Sequence, residues 1–222
     1  MADASHELRT PVAIVRGEAD VALSREDRDP ASLRESLRVG GEEGRRLSRI
    51  VEDLFTLARA DAGQHPLAPA DLYLDELVEE CVRAYQSLAA ERGIRLSCRS
   101  PVEVAYRGDE ALLRRMVLNL LDNAAKHTAS AGSVEVALTS APGAVRIEVR
   151  DTGSGIPPAA RAHVFERFYR ADVARTRANG GAGLGLPIAR WIAESHHGSL
   201  VLADTGPHGT TFVASLPYDG EP

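Results

Sequence analysis

Apolar residues in the first sixty positions recur at the heptad spacing of helices that pack along a narrow seam. We predict a first helix over 3–27 and a second over 31–61, separated by a polar segment that ends at Pro30. The predicted seam residues are Leu8, Val12, Val15, Ala19, Ala22, Leu33, Leu37, Gly40, Gly44, Leu47, Val51, Leu54 and Ala58. This pattern predicts an antiparallel hairpin. Because one hairpin buries little apolar surface, we expect a homodimer that forms a four-helix bundle.

A segment rich in Pro and Gly at 63–70 ends the heptad region and indicates a domain boundary, with domains at 1–65 and 66–222. Helices and strands are mixed beyond it without strict alternation, which predicts an α+β two-layer sandwich. The predicted helices cover 74–92, 109–127 and 185–196. The predicted strands cover 94–99, 102–106, 133–139, 145–150, 199–203 and 210–216.

Composition narrows the function classes. A formal net charge of −6 argues against a general nucleic-acid binder, which needs a basic surplus. Cys81 and Cys98 are too few for a disulfide framework, and we interpret them as reduced thiols. No apolar run approaches the roughly 18 residues of a membrane span, so we expect a soluble chain. Of the 26 basic residues only Lys126 is a lysine, whose compact charge differs from a guanidinium.

The segment Ser-His-Glu-Leu-Arg-Thr-Pro at 5–11 contains the first candidate chemistry. If Leu8 lies on the seam, His6 points about 200° away around the helix, toward solvent. Glu7 is adjacent and can accept an imidazole proton, while Thr10 follows one turn later. Pro11 costs a helix about 3 kcal/mol, which suggests a local bend. A surface histidine at a frayed helix start explains the same residues, and this alternative stays open.

The predicted helix 109–127 presents polar side chains on one face. Asn119 and Asn123 are four residues apart, and Lys126 and His127 follow at the next turn. Neutral amides suit a Mg²⁺ ion that binds chiefly through phosphates, and Lys126 supplies a point charge for those phosphates. A solvated helix face is the alternative interpretation.

An alternating strand ends at Asp151, inside Asp-Thr-Gly-Ser-Gly-Ile-Pro at 151–157. A carboxylate at a strand end can accept a hydrogen bond from the amino group of adenine. Gly153 and Gly155 would let the backbone pass close to the base, next to Ile156. The motif alone is weak, because such turns are common in loops.

Two further segments suggest phosphate binding. Arg167, Arg170, Arg175 and Arg177 flank aromatic residues and suggest a lid that meets phosphate oxygens, although a solvated loop explains each of them equally well. The run Gly-Gly-Ala-Gly-Leu-Gly-Leu-Pro at 180–187 opens a helix. Glycines at a helix start let backbone N–H groups bind phosphate, where the helix dipole favours negative charge. The residues singled out in this run are Gly181, Gly183, Leu184 and Gly185.

The His-Glu-Leu-Arg-Thr-Pro segment resembles the phosphoacceptor motif of sensor histidine kinases. The four later segments resemble, in order, the nucleotide-binding boxes of the histidine kinase ATPase domain, in the superfamily shared with gyrase, Hsp90 and MutL. The resemblance implies that His6 is phosphorylated from ATP, that Glu7 assists as base, and that Thr10 positions water for dephosphorylation of a partner. It also implies Mg²⁺ at Asn123 and adenine at Asp151.

The resemblance further implies a lid over about 157–183 and a response regulator as partner. His127 stands where the family often has an aromatic residue, and the resemblance implies that it contacts the nucleotide there. The other histidines are interpreted as loop or helix-end residues without a metal, and His196 and His197 as residues that meet a helix dipole.

Three alternatives remain at this stage. A gyrase-type ATPase needs an acid at the position of Asn119 to activate water, and an amide cannot act as that base. A dimerisation module without catalysis would not need every motif position filled. A chain that acts mainly as a phosphatase would use Thr10 as well.

The first helix is short relative to the second. Folding the hairpin about residue 28 sets residue 3 opposite residue 53, so Leu57 and Ala58 are expected to lack a partner in cis. We therefore expect a fragment that begins within a helix, downstream of a sensor and any membrane segment, with a weakened or rearranged dimer.

Overall fold

The computed structural model describes residues 2–24, 29–63, 66–100, 103–170 and 181–218, with side chains from residue 7 onward. Helix α1 spans Ala2–Leu23 and helix α2 spans Pro30–Asp61, and the two pack as a hairpin. Helix α1 continues through Pro11, which is buried. It ends earlier than predicted because the Ser24 hydroxyl donates to the carbonyl of Val21, and residues 25–28 lie outside the described part.

Helix α2 begins at Pro30, directly after a residue that caps it. The side chain of Asp29 accepts from the backbone N–H of Ala31 at 3.4 Å, and Pro30 occupies the first turn. The cap and the proline together fix the start of α2 one residue before the prediction.

The predicted seam is only partly covered within one chain. Val12 is 49% exposed and Leu37 is 65% exposed. The apolar residues of α2 that are buried are Ile50 and Leu57, each 3% exposed, and they join the core of the second domain. The expectation that Leu57 lacks a partner in cis was wrong, because the second domain, rather than α1, covers it.

The second domain is the predicted α+β sandwich. Its strands are β1 (Ala70–Tyr73), β2 (Arg95–Arg99), β3 (Ala105–Gly108), β4 (Ser133–Ala141), β5 (Gly143–Asp151), β6 (Ser199–Gly206) and β7 (Gly209–Tyr218). Its helices are α3 (Leu74–Glu91), α4 (Glu110–His127) and α5 (Gly185–Ser195), and a short 3-10 helix covers Pro158–His163. Five strands form one sheet in the order β2-β4-β5-β7-β6, in which only β2 and β4 are parallel.

The core lies between this sheet and the helices. Leu113 and Met116 of α4 are fully buried, as are Ile147 of β5 and Ile188 of α5. Strand β5 is central in the sheet, its alternating apolar residues pack into the core, and Asp151 is its last residue. Cys81 is buried in the same core, and burial raises the pKa of its thiol to about 11.

The boundary segment is shorter than predicted. Strand β1 begins at Ala70 and pairs with β3, and the backbone N–H of Ala68 donates to the carboxylate of Asp109 at 3.0 Å. The sequence pattern missed β1 because four residues are too few for a periodic signal. The residues from Ala68 onward therefore belong to the second domain, which leaves 63–67 as the connection, of which 64 and 65 lie outside the described part.

Polar contacts join the two domains. On α4, Arg115 donates to Asp53 at 2.5 Å and to Thr56 at 2.8 Å, both on α2. Near the end of α2, Asp61 accepts two hydrogen bonds of 2.7 Å from Arg167. These pairs flank the apolar contact at Ile50 and Leu57, so the second domain docks along the later half of α2. Among the helices of the described ranges, none is long and apolar enough to cross a bilayer.

Candidate active site

The polar face of α4 is formed by Asn119 and Asn123, both half-buried. The opposite face of the helix packs into the core, and Asp109 caps its first turn by accepting from Leu112 N–H at 3.1 Å. Among the described residues, the side-chain N–H₂ of Asn119 is buried without a hydrogen-bond partner. A buried donor without an acceptor is costly, and it is a group that a bound anion would satisfy.

Lys126 lies one turn further along α4 and is 19% exposed. It forms an ion pair with Asp122, which also accepts from the hydroxyl of Tyr85 at 3.1 Å. Burial, reinforced by the Asp122 carboxylate, raises the pKa of Tyr85, so the phenol remains a donor. Asp122 and Tyr85 were not predicted as site residues, since a tyrosine on another helix gives no local signal.

Asp151 ends β5 and is 3% exposed. Its Oδ1 accepts from the backbone N–H of Gly153 at 2.7 Å and of Thr210 at 3.2 Å. Burial raises the pKa of this carboxyl, and the two backbone donors oppose that effect. The same oxygen accepts both hydrogen bonds, so the carboxylate is held in a fixed orientation.

The glycines after Asp151 pack against protein backbone. A β-carbon at Gly153 would overlap the carbonyl oxygen of His127, and one at Gly155 would overlap that of Gly206. Gly155 also has a φ of 70°. Because these two glycines lack a side chain, the loop can pack closely against the end of α4 and against β6. His127 itself has an exposed side chain.

Two threonines support this loop, and the sequence analysis missed them. Thr205 accepts from the backbone N–H of Ile156 at 2.8 Å, and its hydroxyl lies 3.2 Å from that of Thr210. The sequence signal for Thr210 was the run Gly-Thr-Thr-Phe at 209–212, a strand segment that pairs with β5 beside Asp151. Threonine is also a common strand residue, which is why its role was not apparent.

The Gly-rich segment lies beside the polar face of α4. A β-carbon at Gly181 would stand 3.4 Å from Nζ of Lys126, and one at Gly185 would stand 3.7 Å from the amide carbon of Asn119. Gly183 has a φ of 70°, and its carbonyl accepts from the N–H of Phe168 at 3.0 Å. Leu184 is buried next to the first turn of α5. Gly180 lies outside the described residues.

The predicted lid arginines have different partners. Arg170 contacts Glu7 of α1, with Nη1 3.4 Å from Oε1, and so joins the lid to the hairpin. Arg167, which was expected to meet phosphate, instead pairs with Asp61 of α2 because the docked domain brings the two side chains together. Arg175 and Arg177 lie outside the described residues.

The segment Ser-His-Glu-Leu-Arg-Thr-Pro at 5–11, predicted to contain the phosphoacceptor, lies on α1. The backbone of His6 belongs to this helix, while its side chain lies outside the described part. Glu7 is half-buried between the two domains, and Thr10 is exposed one turn after His6. The predicted direction of the imidazole therefore stays a prediction.

His196 is a structural residue of the second domain and is 5% exposed. Its Nε2 accepts from the N–H of Asp109 at 3.0 Å, which leaves Nδ1 as the donor to the carbonyl of Ile192 at 2.8 Å. This imidazole links α5 to the start of α4, a more specific role than the predicted contact with a helix dipole. No group of three or more acidic, histidine or cysteine side chains suited to a metal occurs in the described part of the chain.

The structure thus defines a class of protein in which a nucleotide-binding sandwich of the ATPase type is joined to a helical hairpin with a histidine segment. Residues 108–220 match the family described as histidine kinase-, DNA gyrase B- and HSP90-like ATPase. Residues 1–63 match the family described as the His Kinase A (phospho-acceptor) domain. The chain belongs to the sensor histidine kinases.

Known proteins resemble the chain over nearly its whole length. The probable sensor histidine kinase TcrY of Mycobacterium tuberculosis is 37% identical over 220 residues, which cover 99% of this chain and 46% of TcrY. The full-length structure of ShkA in complex with AMPPNP is 29% identical with a TM-score of 0.74, covering 98% of this chain and 45% of ShkA.

The structure of ThkA in complex with the response regulator TrrA has a TM-score of 0.75 and 22% identity, covering 98% of this chain and 60% of that one. This likeness concerns the fold. The chain spans about half the length of the curated relatives that it matches.

Proposed function

We propose that this chain uses Mg·ATP to phosphorylate its own His6 and then passes the phosphoryl group to an aspartate of a response regulator. In this proposal residues 1–65 dimerise and contain the phosphoacceptor, and residues 66–222 bind ATP. The observation that carries the proposal is that the loop after Asp151 and the Gly-rich segment both pack on α4, the first at His127 and the second at Asn119 and Lys126.

Asp151 would recognise adenine. Its carboxylate is held by two backbone donors on Oδ1, and the other oxygen would accept the amino group of the base. A guanine base presents a carbonyl oxygen at that position, so the carboxylate would select against it. Gly153, Gly155 and Ile156 shape the loop beside the base.

The phosphates would lie between α4 and the Gly-rich segment. The buried N–H₂ of Asn119 has no acceptor among the described residues, and Lys126 stands beside Gly181. Gly183, Leu184 and Gly185 lead into α5, whose first N–H groups face an anion favourably. The neutral and cationic donors at this place fit a triphosphate.

The same residues fit Mg²⁺ only if the ion is bound largely through phosphate. Asn123 supplies one amide oxygen on the face of α4, and a cage of three acidic or histidine ligands is not found in the described part of the chain. Mg²⁺ typically keeps several waters and few protein ligands in such sites. When bound, the ion would neutralise charge on the phosphate oxygens.

The proposed reaction is an in-line phosphoryl transfer. A ring nitrogen of His6 forms a bond to the γ-phosphorus, the bond from that phosphorus to the β,γ-bridging oxygen breaks, and ADP leaves. The proton of the other ring nitrogen passes to Glu7. Thr10, exposed one turn later, would orient water when the phosphoryl group is removed from the partner.

Histidine is a better acceptor than water in this site. Asn119 occupies the place where a water-activating acid would be needed, and an amide cannot accept the proton. A gyrase-type hydrolysis is therefore disfavoured. The docking of the second domain on α2 brings Arg170 beside Glu7, next to His6 in sequence.

The expected protein partners are a second copy of the chain and a receiver domain. Leu33, Leu37 and Phe55 are 40%, 65% and 64% exposed on α2, which leaves an apolar surface for another hairpin. The match to a phosphoacceptor domain implies dimerisation, and the complex of ThkA with TrrA supports a response regulator as the second partner.

The proposal is tested by incubation with γ-labelled ATP and Mg²⁺. The wild-type chain should acquire label that is stable in base and lost in acid, as a phosphoramidate is. His6→Ala should acquire none, whereas His208→Ala, in an exposed turn of the second domain, should match the wild type. Label that persists in His6→Ala would overturn the proposal, and free phosphate without labelled protein would favour the ATPase alternative.

A further inference from the structure

Arg46 of α2 has no role in the mechanism described so far, yet it is only 14% exposed. Its Nη2 lies 3.9 Å from Oε2 of Glu7, and its Nη1 lies 3.5 Å from Oε2 of Glu43. Its Nε is buried without a hydrogen-bond partner among the described residues. Burying a guanidinium with an unpaired N–H inside a helical hairpin costs folding free energy, so a functional role would explain why Arg46 lies there.

Arg170 approaches the same carboxylate from the other side. Its side chain is 10% exposed, and its Nη1 lies 3.4 Å from Oε1 of Glu7. Its Nε and Nη2 are also buried and lack partners within the described part of the chain. Glu7 therefore offers one oxygen to an arginine of the hairpin and the other to an arginine of the ATP-binding domain.

The two arginines differ in the domain that carries them. Arg46 belongs to α2 and stays with α1 whenever the second domain moves. Arg170 belongs to the lid segment, and its two unpaired N–H directions are those that a phosphoryl group would satisfy bidentately. If Arg170 turned to phosphate, its contact with Glu7 would weaken and only Arg46 would remain beside the carboxylate.

We propose that Arg46 is a positioning residue for phosphoryl transfer, which holds Glu7 in place beside His6 while Arg170 exchanges Glu7 for the transferred phosphate. This inference rests on the proposed function. Arg46 touches neither ATP nor His6 in this account and acts only through Glu7. Its loss should therefore slow the transfer step without weakening nucleotide binding.

The test compares Arg46→Met, Arg46→Lys and the matched control Arg45→Met, whose side chain is exposed on the same helix. Methionine keeps an unbranched apolar stem and removes the charge, whereas lysine keeps a point charge without the planar fork. Phosphorylation is followed in single-turnover experiments over a range of Mg·ATP concentrations. Binding of a fluorescent ATP analogue confirms that each ATP-binding domain is folded.

Arg46→Met should lower the rate at saturating ATP by about 10- to 100-fold, a fraction of what a general base supplies. The apparent KM for ATP should change by less than about twofold. Arg46→Lys should recover part of the rate, and Arg45→Met should match the wild type. In a Glu7→Gln background, adding Arg46→Met should have little further effect, because both changes disable the same group.

Several results would overturn the inference alone: a wild-type rate in Arg46→Met, a change confined to KM, a loss equally large in the Glu7→Gln background, or a Glu7→Gln variant as active as the wild type. A wild-type chain that is never labelled would instead overturn the proposed function, and this inference with it. The two failures are therefore distinguishable by the wild-type control.

Discussion

The ATP-binding domain and the helical hairpin bury their apolar residues in different ways. In the ATP-binding domain Leu113, Met116 and Ile147 are fully buried by elements of that domain. In the hairpin Leu23 is 85% exposed and Leu37 is 65% exposed. The ATP-binding domain completes its core within the domain, whereas the hairpin leaves large apolar side chains exposed.

Two neighbouring residues of α2 show the same difference at close range. Leu57 is 3% exposed because the ATP-binding domain covers it, and Phe55, two positions earlier, is 64% exposed. One helix therefore has two apolar faces. The ATP-binding domain covers one face, and the other carries the exposed residues that the proposed dimer would cover.

The largest expected effect is in the core of the ATP-binding domain. Ile147→Ala removes fully buried methyl groups and should cost about 2–5 kcal/mol of unfolding free energy. Urea unfolding followed by fluorescence of Trp191, the single tryptophan, reports on this domain. Leu37→Ala in the hairpin should change the same transition by less than about 0.5 kcal/mol. Equal effects of the two variants would contradict the separation of the cores.

Asp151→Asn should separate binding from stability within the ATP-binding domain. The amide cannot replace the carboxylate as acceptor for adenine without reorienting, so ATP affinity should fall by about 1.5–3 kcal/mol, or roughly 10- to 150-fold. Calorimetric titration with Mg·ATP measures this loss. Thr210→Val, which keeps the backbone donor to Asp151, serves as a control and should bind ATP far better than Asp151→Asn.

The same variant should be at least as stable as the wild type at neutral pH. Because burial raises the pKa of Asp151, the native state binds the proton more tightly than the unfolded state. The stabilisation from this group is full below the unfolded pKa of about 3.9 and is lost as pH rises through the raised value. Asn has no charge to bury, so the stability of Asp151→Asn relative to the wild type should rise as pH increases from the unfolded pKa through the raised pKa of Asp151. An advantage that shrinks with rising pH would contradict the burial argument.

The exposed face of α2 should matter for dimerisation rather than for folding. Leu37→Ser removes apolar surface from a proposed contact between hairpins, so dimer affinity should fall by about 1–2 kcal/mol. Sedimentation at several concentrations measures the change. Leu57→Ser is the matched variant on the covered face and should loosen domain docking with a smaller effect on dimerisation. The reverse order would show that the two faces have been assigned to the wrong partners.

The smallest effect is expected for Asp61→Asn, at the exposed ion pair with Arg167. The hydrogen bond from Arg167 lowers the pKa of Asp61, so the contribution of the pair is present above the ordinary carboxyl pKa and is lost as pH falls through the lowered value. Exposed pairs are screened by salt and contribute little. Phosphorylation should change only slightly, and less at high salt; a large loss at high salt would contradict this view.

Much of the ATP-binding domain could be predicted because its signals are local. The period of α4 places Asn119 and Asn123 on one face, and the alternation of β5 brings Asp151 to a strand end. The structure places these elements together as expected. The hydrogen bond from Thr210 to Asp151 was not predicted, because a threonine within a strand is common and gives no distinct signal.

Contacts between the domains could not be predicted from the sequence. Glu7 and Arg170 are 163 positions apart, and Asp53 and Arg115 are 62 apart, so no periodic pattern relates them. Leu57 was misassigned because the heptad pattern was interpreted with a single partner in view. A helix that serves two partners shows one combined amphipathic pattern, and only packing separates them.

The central claim is that the ATP-binding domain delivers a phosphoryl group to one residue of the hairpin. The most direct test is residue-level mapping of the phosphoryl group by mass spectrometry, under alkaline conditions, after incubation with Mg·ATP. The predicted result is phosphate on His6 in the wild type, and much less phosphate, on the same residue, in Asp151→Asn at ATP concentrations that limit binding. Phosphate on Thr10 or on any residue of the ATP-binding domain, with His6 unmodified, would contradict it.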